Sequence, residues 1–563
     1  MKWMNKAGLA VVLMTAGVLG FGLYESHLDC AVPVHHHGQR SIVFETADIS
    51  DIETYVDDTT LVILDLDNTT FRGTTALGSG DWFYRRVLEL IQQGHSKQDA
   101  LEQVYPDFTR VVNYAPMELC DERLPDLLQG FRNKGAAVIG FTARRPSVAA
   151  ATLDTLDQLN CSFKENPFQE LKFDLLQESK ASFSDGIVFA HDFDKKGIVF
   201  DRFLKQLGPH PYKRIVFVDD LEHNVQSMEY SVLGQGLEYV GVRYSLIDGR
   251  MQQMDPRVAD LQLKYLFTVI PDDVAARILA TPAGQALLAE WSDPVLDSPR
   301  KDDTLVPTKA AGRTNPPPFI EQEVPIEIIT SNHIEEVLKH ADERTLVVFD
   351  LNDTITSANT YLGGDQWAKA VLSGGMNKGL SKEEVHDRLV PFWHEVIQGT
   401  TVRPVETNTP LVLRALQHRG CPCLGLTARY VEMAYPTLRH LNSIGVDFSK
   451  SLAARNDFTV GVPYPAKFLQ GVVFAGLQND KAEVLIRFLE QHPIEFDKLI
   501  FVDDKEKNVK GMIKAAQTLG KPYIGIWYRA VESQTATVDP DIGRIQQVLF
   551  HRIMPDSIAH ELL

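Results

Sequence analysis

Two acids two residues apart, Asp65 and Asp67, follow the apolar run Leu61-Val62-Ile63-Leu64 and precede Asn68-Thr69-Thr70. Four apolar residues bounded by polar ones read as a strand buried on both faces in a parallel sheet. The acids then emerge at its carboxyl end, where open α/β sheets hold ligands because the loops leaving the strand tips surround a crevice. Such a pair can divide group transfer between them. One carboxylate attacks as nucleophile while the other moves a proton to and from the leaving and entering oxygens. Asp, Asn and Thr also cap helices and shape turns, so the stretch taken alone fits a local structural role as well.

A second copy of the pattern removes that ambiguity. Leu346-Val347-Val348-Phe349-Asp350-Leu351-Asn352-Asp353-Thr354 lies 285 residues downstream, and the same offset relates Trp82 to Trp367, Ser96-Lys97 to Ser381-Lys382, Thr142-Ala143-Arg144 to Thr427-Ala428-Arg429, and Lys196 to Lys481. After a slip of one residue, Asp219-Asp220 pairs with Asp503-Asp504, Asn224 with Asn508, Tyr244 with Tyr528, and Ile270-Pro271-Asp272 with Met554-Pro555-Asp556. The chain is a tandem duplication whose halves keep the same polar residues at the same strand ends.

The elements that must position these residues follow from the pattern. Ala136–Phe141, Gly186–Ala190, Arg214–Val218 and Tyr239–Arg243 join Leu61–Leu64 as short apolar strands, with amphipathic stretches such as Ile198–Leu207 between them. Alternating strand and helix predicts an α/β fold, two tandem Rossmann-like domains with parallel sheets over about 40–282 and 326–563. Each carries a helical cap insertion after its first motif strand, about 71–118 and 356–406. Trp82, Phe83 and Tyr84 in the first insertion fit cap core and substrate contact equally, whereas Arg85 and Arg86 fit a solvated helix face better than an anion contact. From 293 to 324 charge and proline replace apolar periodicity, as in Ser298-Pro299-Arg300-Lys301-Asp302-Asp303 and Asn315-Pro316-Pro317-Pro318, which predicts a linker.

At 563 residues and 44% hydrophobic content the chain can fill several cores. Its formal net charge of −19, with no basic run, argues against nucleic acid or an anionic membrane surface as partner. Small molecules or proteins fit better. Lys2 and Lys6 before the apolar run Ala7–Leu23 have the layout of an export signal, so residues 1–30 are expected to be a signal peptide or a single-pass membrane anchor, and the protein is expected to be exported. Cys30, Cys120, Cys161, Cys421 and Cys423 have no cysteine at their repeat partners. Ala136 and Val138 stand opposite Cys421 and Cys423, so no shared metal site is built from them. His35-His36-His37, without a second ligand cluster, reads as solvated linker.

Four polar stations recur at successive strand tips: Asp65 and Asp67, Thr142, Lys196, and Asp219 with Asp220. Phosphoryl transfer needs neutralising charge, donors to the equatorial oxygens and an in-line nucleophile, and these residue types supply all three. The acids form an oxygen-only set of the kind that a hard cation such as Mg²⁺ prefers.

With these stations in order, the chain resembles the haloacid dehalogenase (HAD) superfamily of phosphohydrolases, through Asp65-Leu66-Asp67-Asn68-Thr69, Thr142, Lys196 and Val218-Asp219-Asp220-Leu221-Glu222-His223-Asn224. Thr142-Ala143-Arg144 is similar to the second motif of exported acid-phosphatase-like members. The resemblance implies Asp65 as nucleophile and Asp67 as general acid/base. It implies Thr142, Arg144 and Lys196 around the phosphate, and Mg²⁺ held by Asp65, Asp67 through its backbone carbonyl, and Asp219 or Asp220. The second repeat departs at one position: Asn352 replaces the acid/base, while Asp350, Thr427, Lys481, Asp503 and Asp504 remain. An amide cannot donate and retrieve a proton near neutral pH, so this copy is expected to be catalytically impaired while able to bind a metal or ligand. Asp353, one residue further on, is expected to point elsewhere along an extended strand end. Two readings result. One is an exported Mg²⁺-dependent phosphomonoesterase acting on a small phosphorylated substrate through the first repeat, with intramolecular pairing of the two domains left open. The other is a non-catalytic ligand- or protein-binding pseudophosphatase.

Overall fold

The computed structural model describes residues 41–168, 173–176, 181–191, 196–248, 254–289, 291–293, 295–296, 322–451, 457–533 and 539–563. The expected signal or anchor at 1–30, Cys30, His35-His36-His37 and most of 293–324 lie outside them. Among the described residues no helix is long and apolar enough to cross a membrane.

Each repeat folds around an eight-stranded sheet. In the first, β1 (Ser41–Thr46), β2 (Thr60–Leu64), β3 (Ala137–Thr142), β4 (Phe173–Leu176), β5 (Ala181–Ser184), β6 (Ile187–Phe189), β7 (Arg214–Asp219) and β8 (Glu238–Tyr244) lie in the order β1-β8-β7-β2-β3-β6-β5-β4. The six strands from β1 to β6 in that order are parallel, and β5 and β4 add antiparallel to the edge. The second repeat has the same order with β9 (Ile326–Ser331), β10 (Thr345–Phe349), β11 (Cys423–Thr427), β12 (Phe458–Thr459), β13 (Lys467–Leu469), β14 (Val472–Phe474), β15 (Lys498–Asp503) and β16 (Tyr523–Tyr528), arranged β9-β16-β15-β10-β11-β14-β13-β12. Every residue of β2 and of β10 is buried, because each is a central strand covered on both faces. The chain is therefore two tandem α/β domains of Rossmann-like arrangement, as the alternating pattern predicts.

The sheets are wider than the apolar runs alone suggest. β1 is an edge strand hydrogen-bonded to β8 on one side, and its apolar run Ile42-Val43-Phe44 is short and largely exposed. Asp185 and Gly186 both have positive φ, 52° and 82°, and form the two-residue turn of the β5–β6 hairpin. Gly186, read from the sequence as the start of a strand, is a turn residue, and a Cβ there would lie 2.0 Å from the Phe163 carbonyl oxygen.

Each insertion is a helical pair. In the first repeat Gly80–Gln92 and Lys97–Val111 start at Ser79 and Ser96, whose hydroxyls accept from the Trp82 and Asp99 amides. In the second, Asp365–Asn377 is followed by Lys382–Gly399, which opens with a full capping box between Ser381 and Glu384. The repeated Ser-Lys dipeptide is thus a helix start. Trp82 and Phe83 are buried, and Phe83 meets Tyr105 and Phe108 edge-on, so these two rings are helical-pair core. Arg86 pairs with Glu89 on the helix surface. The stretch after Asp293 begins anchored: Val295 and Leu296 are buried against Val371, Val385 and Leu389, and Arg388 donates to the Leu296 carbonyl at 2.8 Å.

By packing, the described residues up to Arg72 together with Leu119–Asp248 form one compact unit, and Gly73–Glu118 with Gly249–Leu563 the other. Within the second unit the C-terminal segments of the two repeats are exchanged. The Gln262 side chain accepts from Leu77 N at 2.8 Å, and its amide donates to Met554 O at 2.6 Å and to Asp556 Oδ1 at 2.7 Å. Asp556 Oδ1 also accepts from Ala76 N at 3.0 Å. The reciprocal set is Gln546 accepting from Leu362 N at 2.9 Å and donating to Ile270 O and Asp272 Oδ1 at 2.8 and 2.7 Å, with Asp272 accepting from Tyr361 N. Both glutamines are fully buried. The repeated Pro-Asp motif therefore caps the insertion of the opposite repeat. Replacing Gln262 or Gln546 by Leu strands a buried amide N–H and two acceptors, and should lower unfolding stability by about 2–4 kcal/mol. Denaturant midpoints of the two variants measure this, and unchanged midpoints would show that the exchange contributes nothing.

Candidate active site

Strand β2 continues past Leu64 through a hydrogen bond from Asp65 N to Val218 O, which carries the first acid to the sheet's carboxyl edge beside the end of β7. The chain then turns sharply. Asn68 has φ 63°, a left-handed conformation that asparagine tolerates better than most side chains, and its N–H donates to Phe71 O. Thr70 closes the turn by donating its hydroxyl to Asp65 O at 2.6 Å.

Lys196, the first described residue of the helix Lys196–Leu207, reaches the same edge. Its ammonium bonds to Asp65 Oδ1 and, at 2.6 Å, to Asp219 Oδ2, and all three groups are almost wholly enclosed. Asp219 is fixed from its other side by Leu221 N at 2.9 Å and by the Asn224 amide at 3.0 and 3.1 Å. Burial pushes the Asp65 carboxyl up to about 8 against the pull of Lys196, with Asp219 and Asp67 adding like-charge repulsion. Burial and the same neighbouring acids raise Asp220. Burial opposes the charge of Lys196, but Asp219 and Asp65 outweigh it and hold the ammonium above its ordinary value.

One lysine therefore stands against three crowded carboxylates. Asp65, Asp219 and Asp220 each present an oxygen within 4.8 Å of the others, as do Asp350, Asp503 and Asp504. The donor set is oxygen only and carries excess negative charge, which fits a hard divalent cation.

Asp67 lies outside this cluster, in a fork. Arg144 Nε and Nη2 donate to its two oxygens at 2.9 and 2.7 Å, and Nη1 donates to Thr152 Oγ1 at 3.2 Å. The guanidinium also lies 4.9 Å from the Phe71 ring centroid. The resemblance places Arg144 on the phosphate, whereas in the structure its nitrogens hold Asp67. Thr142 is fully buried and accepts from Arg144 N at 3.1 Å, so the strand tip itself sets the fork.

The second repeat rebuilds most of this. Lys481 bonds Asp350 at 2.6 Å and Asp503 at 2.8 Å, and Asn508 grips Asp503 at 3.0 Å to both oxygens. Burial lifts Asp350 to about 6 and Asp504 to about 8. Asn352 breaks the fork. Arg429 keeps its bonds to Thr437 Oγ1 and, through its backbone, to Thr427 Oγ1, but its Nε is buried with no hydrogen-bond partner, as is Asn352 Oδ1. Burial holds the Arg429 guanidinium down at about 10, so it stays charged at neutral pH. Asp353 does not point away. At φ 57° it takes the left-handed position that Asn68 occupies in the first repeat, and it lines the same cleft as Asn352.

All the motif residues of each repeat thus converge on one strand edge. The sequence reading gave no role to Asn224 and Asn508, which fix the second acid, or to Thr152 and Thr437, which anchor the arginine. Both pairs are visible as repeat partners in the sequence. Cys120, Cys161, Cys421 and Cys423 form no disulfide among the described residues.

A provisionally named outer membrane protein of Chlamydia trachomatis serovar D is 27% identical over 235 residues, which cover 41% of this chain and 88% of its own. An uncharacterized protein of Rickettsia prowazekii is 25% identical over 246 residues, covering 41% of this chain and 85% of its own. Each match is about the length of one repeat. Among solved structures, a haloacid dehalogenase-like hydrolase from Streptococcus pneumoniae aligns with 34% of this chain and 97% of its own at 14% identity and a TM-score of 0.22, a likeness too slight to carry an argument. A family described as a protein of unknown function, DUF2608, matches residues 45–275 and again 327–559, spans that take in every motif residue of both repeats. The chain belongs to the DUF2608 family and carries its domain twice.

Proposed function

We propose that the first repeat is a Mg²⁺-dependent phosphomonoester hydrolase that works through an aspartyl-phosphate. The observation that carries this reading is the arrangement of two unlike carboxylates two residues apart: Asp65 enclosed with a lysine and two further acids, Asp67 held by a guanidinium fork. Environments that differ this sharply suit two roles, nucleophile and proton carrier.

Asp65 Oδ attacks phosphorus while the P–O bond to the leaving group breaks. The leaving oxygen takes a proton from Asp67. Asp67, as carboxylate, then removes a proton from water, whose oxygen attacks the aspartyl-phosphate, releases phosphate and returns Asp65 to its starting state. Lys196 and the Thr142 hydroxyl offset charge on the transferring group, and Arg144 keeps Asp67 aimed. Asp65, Asp219 and Asp220, with Asp67 through its backbone carbonyl as the resemblance implies, would hold Mg²⁺, which would supply Lewis-acid charge neutralisation. In the second repeat Asn352 cannot carry the proton, which supports a degenerate copy built on Asp350, Thr427, Lys481, Asp503 and Asp504.

Export is part of the proposal. The Lys2, Lys6 and Ala7–Leu23 pattern supports it, as does the outer-membrane name of the chlamydial relative.

Hydrolysis of p-nitrophenyl phosphate by the full chain tests the reaction. Activity should require Mg²⁺, and Asp67→Asn should lower kcat by about 10²–10⁴-fold. No turnover across a broad phosphomonoester panel, or an unimpaired Asp67→Asn, would sink the reading. In the Asp67→Asn background, Asn352→Asp should restore a measurable part of the activity if the second repeat lacks only its acid. Mg²⁺ at 100 times its dissociation constant should stabilise the protein by about 2.7 kcal/mol. Asp220→Asn should remove most of the first repeat's share of that shift in a thermal melt, and an undiminished shift would place the metal elsewhere.

A further inference from the structure

In the second repeat the arginine fork has been emptied without being dismantled. Arg429 remains anchored on Thr437 at 2.9 Å, as Arg144 is on Thr152, yet the nitrogen that would hold the carboxylate's second oxygen is buried and unpartnered. Arg429 and Asn352 line a small cleft together with Trp393, Thr400 and His440, all within one compact unit. At the 285-residue offset these last three replace Phe108, Ala115 and Thr155, so the indole and imidazole of the lining belong to this repeat alone.

The lining has unmet hydrogen-bonding capacity of both kinds. His440 Nε2 bonds the Thr400 carbonyl at 2.8 Å, which makes Nε2 the protonated nitrogen of a neutral ring and leaves Nδ1 an acceptor. Burial and the nearby Arg429 hold this ring's pKa down at about 4, in keeping with that tautomer. His440 Nδ1 and Asn352 Oδ1 are buried acceptors without partners. Arg429 Nε and Trp393 Nε1 are buried donors without partners. Buried polar groups are ordinarily satisfied, and four unpartnered ones on residues that line one cleft point to a ligand.

We propose that this cleft binds a small organic monocarboxylate with a hydroxyl or amino group on the neighbouring carbon. The first repeat shows what fits the fork: a carboxylate, bonded through both oxygens by the same arginine. Replacing Asp by Asn transfers that acid from the chain to the ligand. The hydroxyl or amino group supplies the donor that Asn352 Oδ1 and His440 Nδ1 lack. Asp353 and Asp365 also line the cleft and disfavour a phosphate dianion.

Calorimetric titration of the full chain with glycolate, L-lactate and L-alanine tests this, with acetate and inorganic phosphate for comparison and no Mg²⁺ present. At least one of the three should bind saturably and roughly tenfold or more tighter than acetate. Asn352→Asp, which returns the internal carboxylate and reproduces the first repeat's own constellation, should weaken that binding roughly tenfold or more, as should Arg429→Gln. His440→Thr should narrow the preference over acetate. Absence of binding by all three probes, or binding indifferent to Asn352→Asp, overturns the proposal, and tighter binding of phosphate than of glycolate overturns the carboxylate assignment. The readout needs no turnover, so it stands or falls apart from the hydrolase reading.

Discussion

At the tip of each central strand a lysine ammonium is enclosed between two aspartates, Lys196 with Asp65 and Asp219, and Lys481 with Asp350 and Asp503. Removing such charges from water costs several kcal/mol per ion, and the interaction holds only where geometry is good and the remaining lone pairs are satisfied. The surrounding structure meets those terms. Asn224 and Asn508 clamp the second aspartate, and Thr70 fixes the turn after the first. The fully buried strands bring three carboxylates together in each repeat, against Lys196 in the first and against Lys481 with the nearby Lys505 in the second. Burial, with the neighbouring carboxylates adding to it, keeps Asp65, Asp220, Asp350 and Asp504 above the usual carboxylate range.

The two repeats differ where they matter most by a few atoms. Asp67 and Asn352 have nearly the same shape, but only the carboxylate engages the arginine through both oxygens. The rest of the second fork survives, Thr427, Thr437 and Arg429 included. Its cleft has meanwhile acquired Trp393, Thr400 and His440. A repeat that had simply decayed would not be expected to keep a buried guanidinium in place, because an unpaired buried charge is costly to retain. The Asp-to-Asn exchange and the altered lining therefore fall at the same place in the fold.

Duplication also left its mark on how the insertions are held. Gln262 and Asp556 cap the turn that leads into the first insertion, and Gln546 and Asp272 the corresponding turn of the second, so each is completed by the other half of the chain. A glutamine amide that donates to a carbonyl and a carboxylate while accepting a backbone N–H uses nearly all its capacity. This explains why so polar a side chain can be fully buried.

The sequence by itself determined the duplication, the α/β class and the strand tips where the acidic and basic side chains gather, because continuous apolar runs and repeated polar positions are local signals that survive without coordinates. It also located the one atom-level break between the halves, at Asn352. Other features depend on residues distant in the chain, and only the tertiary structure decided them. Arg144 turned out to hold Asp67, since nothing in a Thr-x-Arg spacing says which anion the guanidinium meets. Asp353 entered the cleft because a left-handed residue redirects the chain, where an extended strand end was expected. Edge strand β1, largely exposed, and β5, with alternate residues buried, carried too short an apolar pattern to announce themselves. The repeated Pro-Asp motif was visible in the sequence, but its exchange between halves was not, because periodicity reports which face of a segment is buried and never whose surface buries it.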